Sequence, residues 1–119
     1  MPDPSVIDPQ AIENLRALNP DDGDEFLREI AGIFLEDTPL RISELDQSLV
    51  AGDASRFTRA AHSIKGSSAN LGAMGVRNLA EKLEHQSRTD GLAAVAPLIA
   101  ELKTEYARAQ VELSRLIGK

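Results

Sequence analysis

The chain has 119 residues, a formal net charge of −6, no cysteine and few aromatic side chains. This length suits one domain, and the lack of cysteine excludes disulfide frameworks and thiol chemistry. Nucleic-acid binding needs clustered Lys and Arg, which an acidic chain does not favour, and no apolar run is long enough to span a bilayer. We therefore expect a soluble, cytoplasmic protein that binds neither nucleic acid nor membrane. A monomer is the simplest expected state.

Residues 1–6 carry two prolines and are predicted to form a flexible arm. Asp8 and Pro9 are typical of a helix start, with an N-cap followed by proline at the first helical position. The short helix that follows has one apolar stripe, formed by Ile12, Leu15 and Leu18. We expect it to close one end of a bundle.

A longer apolar stripe at helical spacing predicts a second helix that runs to about Val50. Its members are Phe26, Ile30, Ile33, Phe34, Ile42, Leu45 and Leu49. The acidic run at positions 21–24 lacks the spaced ligands of a calcium loop, so it is interpreted as the N-terminus of this helix. Pro39 removes one backbone donor and predicts a kink, with two shorter helices as the alternative.

Gly52 and Asp53 predict the end of the second helix and the cap of a third, which runs to about Asn70. A fourth helix is expected over residues 73–87, and a last helix follows a loop at 88–91, with Pro97 in its first turns. Four long amphipathic helices joined by short loops predict an all-α fold. We therefore expect one domain over residues 1–119, with an up-down antiparallel four-helix bundle and a short extra N-terminal helix within residues 7–117.

The third helix has an unusual outward face. A helix advances about 100° per residue, so His62 must face solvent if Ile64 faces the core. Lys65 follows one turn later on the same side, and Gly66 stands where glycine costs about 1 kcal/mol relative to alanine. Gly66 is explained either by the access of a large partner to the imidazole, or by close helix packing or an early helix end. The spacing alone does not choose between these explanations.

The residues around His62 favour phosphoryl chemistry. A solvent-exposed imidazole that is neutral is a competent nucleophile, and the Lys65 ammonium can hold an incoming phosphoryl group. A metal site would need a second His or a carboxylate one turn away, and no glycine-rich nucleotide loop is present. The chain is therefore predicted to be a phosphocarrier rather than an enzyme, without ATP or a metal of its own. His85 has neither Lys nor Gly one turn later and is interpreted as a surface residue.

The segment from His62 to Ala73, HSIKGSSANLGA, closely resembles the H-x-[IL]-K-G-[SA]-[SA] signature of histidine-containing phosphotransfer (HPt) domains. The resemblance covers roughly residues 7–116. It implies a bundle that carries a phosphoryl group between the aspartates of two receiver domains, in response regulators or hybrid histidine kinases, with magnesium on the receiver. On this resemblance His62 is the phosphoacceptor, Lys65 stabilises the phosphoryl group and Gly66 admits the receiver.

The expected docking rim around Gly66 consists of Thr58, Arg59, Ser67 and Ala69, with part of the fourth helix. Glu84 occupies a position where some members of the family carry glutamine, so we expect it to orient the imidazole but to repel a phosphoryl group. Two alternatives stay open. The chain is a phosphoacceptor domain of a larger hybrid or chemotaxis-type histidine kinase, or it is a helical interaction module that does not transfer phosphate.

Overall fold

The computed structural model describes residues 6–118, which fold into five α-helices without a β-strand in that range. The helices are α1 Pro9–Leu18, α2 Glu25–Ala51, α3 Ala54–Leu71, α4 Met74–Thr89 and α5 Ala96–Leu116. The predicted all-α bundle with a short extra N-terminal helix is confirmed. Within the described range, no helix is long and apolar enough to cross a membrane.

The helix ends follow the capping residues of the sequence. Asp8 accepts a hydrogen bond from the Gln10 amide at 3.0 Å, and Asp53 accepts one from the Arg56 amide at 3.1 Å. Gly52 ends α2 in the left-handed conformation with a φ of 69°, which glycine adopts without strain. Two boundaries were predicted wrongly. The fourth helix continues through Thr89, and the last helix begins only at Ala96, so the loop expected at 88–91 lies at 90–95.

The bundle is closed by neighbouring contacts between α2 and α3, α3 and α4, α4 and α5, and α5 and α2. The third helix packs most extensively, because it lies between α2 and α4. Helix α1 crosses the end of α2 and α3, where the Asp8 amide donates to the Gly72 carbonyl at 2.8 Å. The expectation that α1 covers one end of the bundle agrees with this contact.

Some sequence expectations need correction. Val6 was assigned to the flexible arm, yet its side chain is buried, while residues 1–5 lie outside the described range. Leu18 and Ile33 were placed on apolar stripes, but both are exposed. The buried stripe of α2 instead begins one residue after Phe26, and its members are Leu27, Ala31, Phe34, Thr38, Ile42, Leu45 and Ser48.

Pro39 lies inside α2, which is one continuous helix, so the alternative of two shorter helices is wrong. Proline has no amide hydrogen, so the Leu35 carbonyl one turn earlier loses its helical donor. The Tyr106 hydroxyl on α5 donates to that carbonyl at 3.0 Å. Burial raises the pKa of Tyr106, which keeps the hydroxyl in its donating form. A side chain from a neighbouring helix thus replaces the donor that Pro39 lacks.

Candidate functional site

Helix α3 presents His62 to solvent because its opposite face supplies a large part of the core. Phe57 and Ile64 are fully buried, whereas the His62 side chain is 67% exposed. The prediction that His62 faces outward is therefore confirmed. The ring stands near the middle of an 18-residue helix whose ends are both capped, so its backbone is held firmly.

A buried carboxylate on α4 organises the polar groups around this ring. The His62 Nδ1 atom lies 2.8 Å from Glu84 Oε2, and the Lys65 Nζ atom lies 2.7 Å from Glu84 Oε1. The Arg88 guanidinium reaches Glu84 Oε2 at 3.0 Å from one helical turn further along α4. The Glu84 side chain is only 6% exposed, so three donors meet one carboxylate largely shielded from water.

The charge state of Glu84 determines which nitrogen of His62 is free. Burial by itself raises the pKa of Glu84, but the hydrogen bonds and charges of Lys65 and His62 outweigh burial and hold this pKa below its usual value. An ionised carboxylate only accepts hydrogen bonds, so Nδ1 of His62 must carry the hydrogen that it donates. In the neutral imidazole the Nε2 atom then has an available lone pair.

Gly66 leaves open space one turn beyond the ring. A Cβ atom added at Gly66 would meet no atom within 4 Å outside its own turn of helix, and α3 continues to Leu71. Close helix packing and an early helix end are therefore both wrong as explanations for this glycine. Access to the imidazole is the explanation that remains from the sequence analysis.

The surface beside His62 is a shallow depression lined by Thr58, Arg59, His62, Ser63 and Arg88. Thr58 is held in place, because its hydroxyl lies 2.7 Å from Ser87 Oγ and 2.9 Å from the Ala54 carbonyl. Ser67 and Ala69 are not among the lining residues. The Ser67 hydroxyl donates to the Ser63 carbonyl at 3.2 Å, and Ala69 is exposed. Of the expected rim residues, Thr58 and Arg59 therefore line the depression with His62, whereas Ser67 and Ala69 do not.

Two lining residues were missed by the sequence analysis, Arg88 and Ser63. Arg88 follows Glu84 by four residues, a spacing at which opposite charges on a helix meet, so a sequence signal existed. Ser63 is adjacent to His62 in the chain and gave no comparable signal.

The electrostatics of the site suit an anion. Lys65, Arg88 and Arg59 supply three positive charges near the ring, against the single negative charge of Glu84. This local excess of two positive charges lies in a chain whose net charge is −6. Glu84 was expected to repel a phosphoryl group, but both of its oxygens already face donors, so its charge is largely compensated.

His85 is exposed on α4, and no side chain in the described part of the protein forms a hydrogen bond with its ring. Among residues 6–118, no group of three or more His, Asp or Glu side chains is placed to hold a metal ion.

Comparison with known proteins gives consistent matches. Residues 29–112 match the model of the family described as the Hpt domain. Over 83 residues the chain is 30% identical to multistep phosphorelay regulator 1 of Schizosaccharomyces pombe, a match that covers 70% of this chain and 28% of that protein's length.

Two solved structures have a similar fold. Histidine-containing phosphotransfer protein B from Pseudomonas aeruginosa superposes with a TM-score of 0.84 at 27% identity, covering 92% of both chains. MtHPt2 from Medicago truncatula gives a TM-score of 0.83 at 23% identity and covers 96% of this chain and 78% of that one. At this lower identity, the second match concerns the fold alone.

Proposed function

The chain belongs to the Hpt family, and from this premise we propose that it acts in histidine phosphotransfer within a phosphorelay, with His62 as the residue that carries the phosphoryl group. The observation that carries the proposal is the contact between His62 Nδ1 and the buried Glu84 carboxylate at 2.8 Å. This contact fixes one ring nitrogen and leaves the other free on the exposed side of α3.

The proposed reaction is a direct transfer between a receiver aspartate and His62. The Nε2 lone pair attacks the phosphorus of the aspartyl phosphate, and a new P–N bond forms as the P–O bond to the aspartate breaks. The electron pair of the broken bond leaves with the aspartate carboxylate. The phosphorylated ring keeps its Nδ1 hydrogen and carries positive charge, which the ionised Glu84 stabilises. The reverse steps deliver the phosphoryl group to a second receiver.

Lys65 is proposed to stabilise the phosphoryl group while it remains bound to Glu84. An ammonium group has three donors, so one can stay on Glu84 Oε1 while another turns toward oxygens of the phosphoryl group above the ring. Gly66 is proposed to admit the receiver surface, since its outer side is open. Thr58 and Arg59 would contact the receiver at the edge of the depression, with Ser67 and Ala69 further along α3.

The remaining parts of the proposal concern what the chain takes from its partners. We propose that magnesium, where the reaction needs it, is bound by the receiver, and that the chain has no ATP site and depends on a phosphorylated receiver for its phosphoryl group. A monomer in the cytoplasm that meets receivers of response regulators or hybrid histidine kinases is the simplest form of this carrier.

The test is transfer from a phosphorylated receiver in the presence of Mg²⁺. Label should appear on this protein in an acid-labile, base-stable form, and His62→Gln should remove it. His85→Gln is the matched control, because it makes the same substitution on an exposed histidine of the adjacent helix, and it should label like the parent. Label on the His62→Gln protein would refute the assignment.

A further inference from the structure

A second depression lies beside the one that contains His62. It runs between α2 and α3 and is lined by Arg41, Glu44, Arg56, Arg59, Ala60 and Ser63. Arg59 and Ser63 line both depressions, so this groove opens directly onto the surface around the imidazole. A partner protein that reaches His62 from the side of Arg59 therefore also contacts the groove.

The groove is basic in an acidic protein. Three arginines line it against one glutamate, and positive charge still exceeds negative charge when Asp37, which pairs with Arg41 from outside the groove at 3.3 Å, is included. The chain as a whole has a net charge of −6, so this face differs in sign from the average of the surface. Such a patch attracts a partner of opposite charge and increases its rate of encounter.

The arginines are held in place rather than left mobile. The carboxylate of Glu44 lies between Arg41 on its own helix and Arg56 on α3, with Arg56 Nε at 3.6 Å. The Arg56 guanidinium also donates to Gln47 Oε1 at 3.0 Å. Both arginine side chains are more than a third exposed, so they are positioned by these contacts but still reach solvent. Positioned cations lose less conformational entropy when they bind an anion.

Arg59 has no carboxylate partner within the described residues, and it lies one helical turn from both Arg56 and His62. The three side chains therefore follow one exposed line along α3. A partner whose negative charges lie along Arg56 and Arg59 therefore also reaches the imidazole of His62.

We propose that the groove of Arg41, Arg56 and Arg59 binds a carboxylate-rich surface segment of the receiver, next to the receiver's phosphorylated aspartate, and that it selects among receivers. This inference rests on the proposed function of His62 and adds the chemistry of the partner. Receivers with acidic side chains at that position bind and exchange phosphoryl groups well, and receivers with neutral or basic side chains there bind weakly.

The double variant Arg41→Gln/Arg56→Gln tests the proposal, since neither residue lines the depression around His62. Transfer from this protein to each receiver that the parent serves is followed at increasing receiver and salt concentrations. For the acidic receivers the KM should rise about tenfold with kcat within twofold of the parent, and the dependence of kcat/KM on salt should weaken.

Two control variants and two further measurements distinguish the possible outcomes. Arg41→Lys/Arg56→Lys retains both charges and should keep the KM within threefold of the parent. Arg115→Gln removes a surface charge on α5 that lies outside both depressions, and it should leave transfer unchanged. Labelling by phosphoramidate, a small donor that needs no docking surface, reports the reactivity of His62 in each variant, and thermal unfolding reports the fold.

The groove proposal is overturned if the parent transfers its phosphoryl group while the double glutamine variant, folded and labelled by phosphoramidate, shows the KM and salt dependence of the parent. A parent that neither labels with phosphoramidate nor exchanges with any receiver overturns the proposed function, and the groove proposal with it.

Discussion

His62 and His85 are both exposed histidines on adjacent helices, but within residues 6–118 only the His62 ring is held by a neighbouring side chain. The His62 ring contacts Glu84 at 2.8 Å and has Lys65 and Gly66 one turn later. At the same offsets His85 has Arg88 and Thr89, and the Arg88 guanidinium turns away to bind Glu84. On the proposed assignment, exposure alone does not make a histidine a phosphoryl acceptor. The ring must also have one nitrogen fixed by a partner and open space beside it, and the described structure provides both at His62.

Filling the open space should have the largest effect. Gly66→Gln is expected to slow receiver transfer by at least about 100-fold, because displacing reacting atoms by even 1 Å can cost that much. The fold should gain about 0.5–1 kcal/mol, since glycine is unfavourable inside a helix. Quenched time courses of phosphoryl transfer measure the rate, and thermal unfolding measures the gain in stability.

Gly32→Gln is the matched control for that variant. Gly32 also lies inside a helix, and a Cβ atom there meets nothing within 4 Å, but it is on α2 away from the imidazole. We expect a similar gain in stability with unchanged transfer. Equal transfer rates for Gly66→Gln and the parent would remove access as the reason for Gly66.

Removing the ammonium group beside the ring should have a smaller effect on the reaction. Lys65→Ala is expected to slow transfer about tenfold, or about 1.4 kcal/mol of transition-state stabilisation, because one charge-assisted hydrogen bond to the phosphoryl group is lost. Helix content should not change, which circular dichroism measures. Lys82→Ala, an exposed lysine on α4, is the control and should transfer like the parent. A Lys65→Ala protein with the parental rate would show that the ammonium serves Glu84 alone.

Glu84 gives a prediction for pH. The pKa of Glu84 in the folded protein lies below its usual value. The ionised carboxylate therefore stabilises the fold at pH values above that usual value, and this stabilisation is lost as the pH falls through the pKa of the folded state. Glu84→Gln should therefore lower the free energy of unfolding at pH 7 by about 1–2 kcal/mol. The difference from the parent should shrink as the solution is acidified. Chemical denaturation at several pH values measures it, and a difference that grows in acid would contradict the assigned charge.

The smallest predicted effect lies away from both histidines. Tyr106→Phe removes the hydroxyl that donates to the Leu35 carbonyl and should cost about 1 kcal/mol without changing transfer. In a Pro39→Ala background the helix has its own amide donor again, so the same substitution should cost less. Denaturation of the four proteins in this cycle measures the coupling. Equal costs in both backgrounds would show that the hydroxyl does not compensate for Pro39.

The sequence predicted the parts of the structure that depend on local chemistry. Gly52 and Asp53 marked a helix end and a helix start, and the spacing of His62 and Ile64 gave the orientation of the ring. Helix α2 was harder, because several of its buried positions are Ala31, Thr38 and Ser48, which carry little hydrophobic signal. A stripe drawn through large apolar residues alone therefore included the exposed Ile33.

The contacts between helices were the part that the sequence could not supply. Glu84 follows His62 by 22 residues, and only the packing of α3 on α4 brings the carboxylate to the ring. The family resemblance suggested Glu84 but not that Lys65 and Arg88 would both bind it. Those contacts largely compensate the charge of Glu84. Without them, the sequence analysis expected the carboxylate to repel a phosphoryl group.

The most direct test of the central claim is nuclear magnetic resonance of the histidine ring nitrogens before and after phosphorylation. The account predicts that the His62 ring carries its hydrogen on Nδ1 in the free protein and gains phosphorus on Nε2, while the spectrum of His85 shows no bond to phosphorus. Phosphorus on Nδ1 of His62, or on His85, would contradict it.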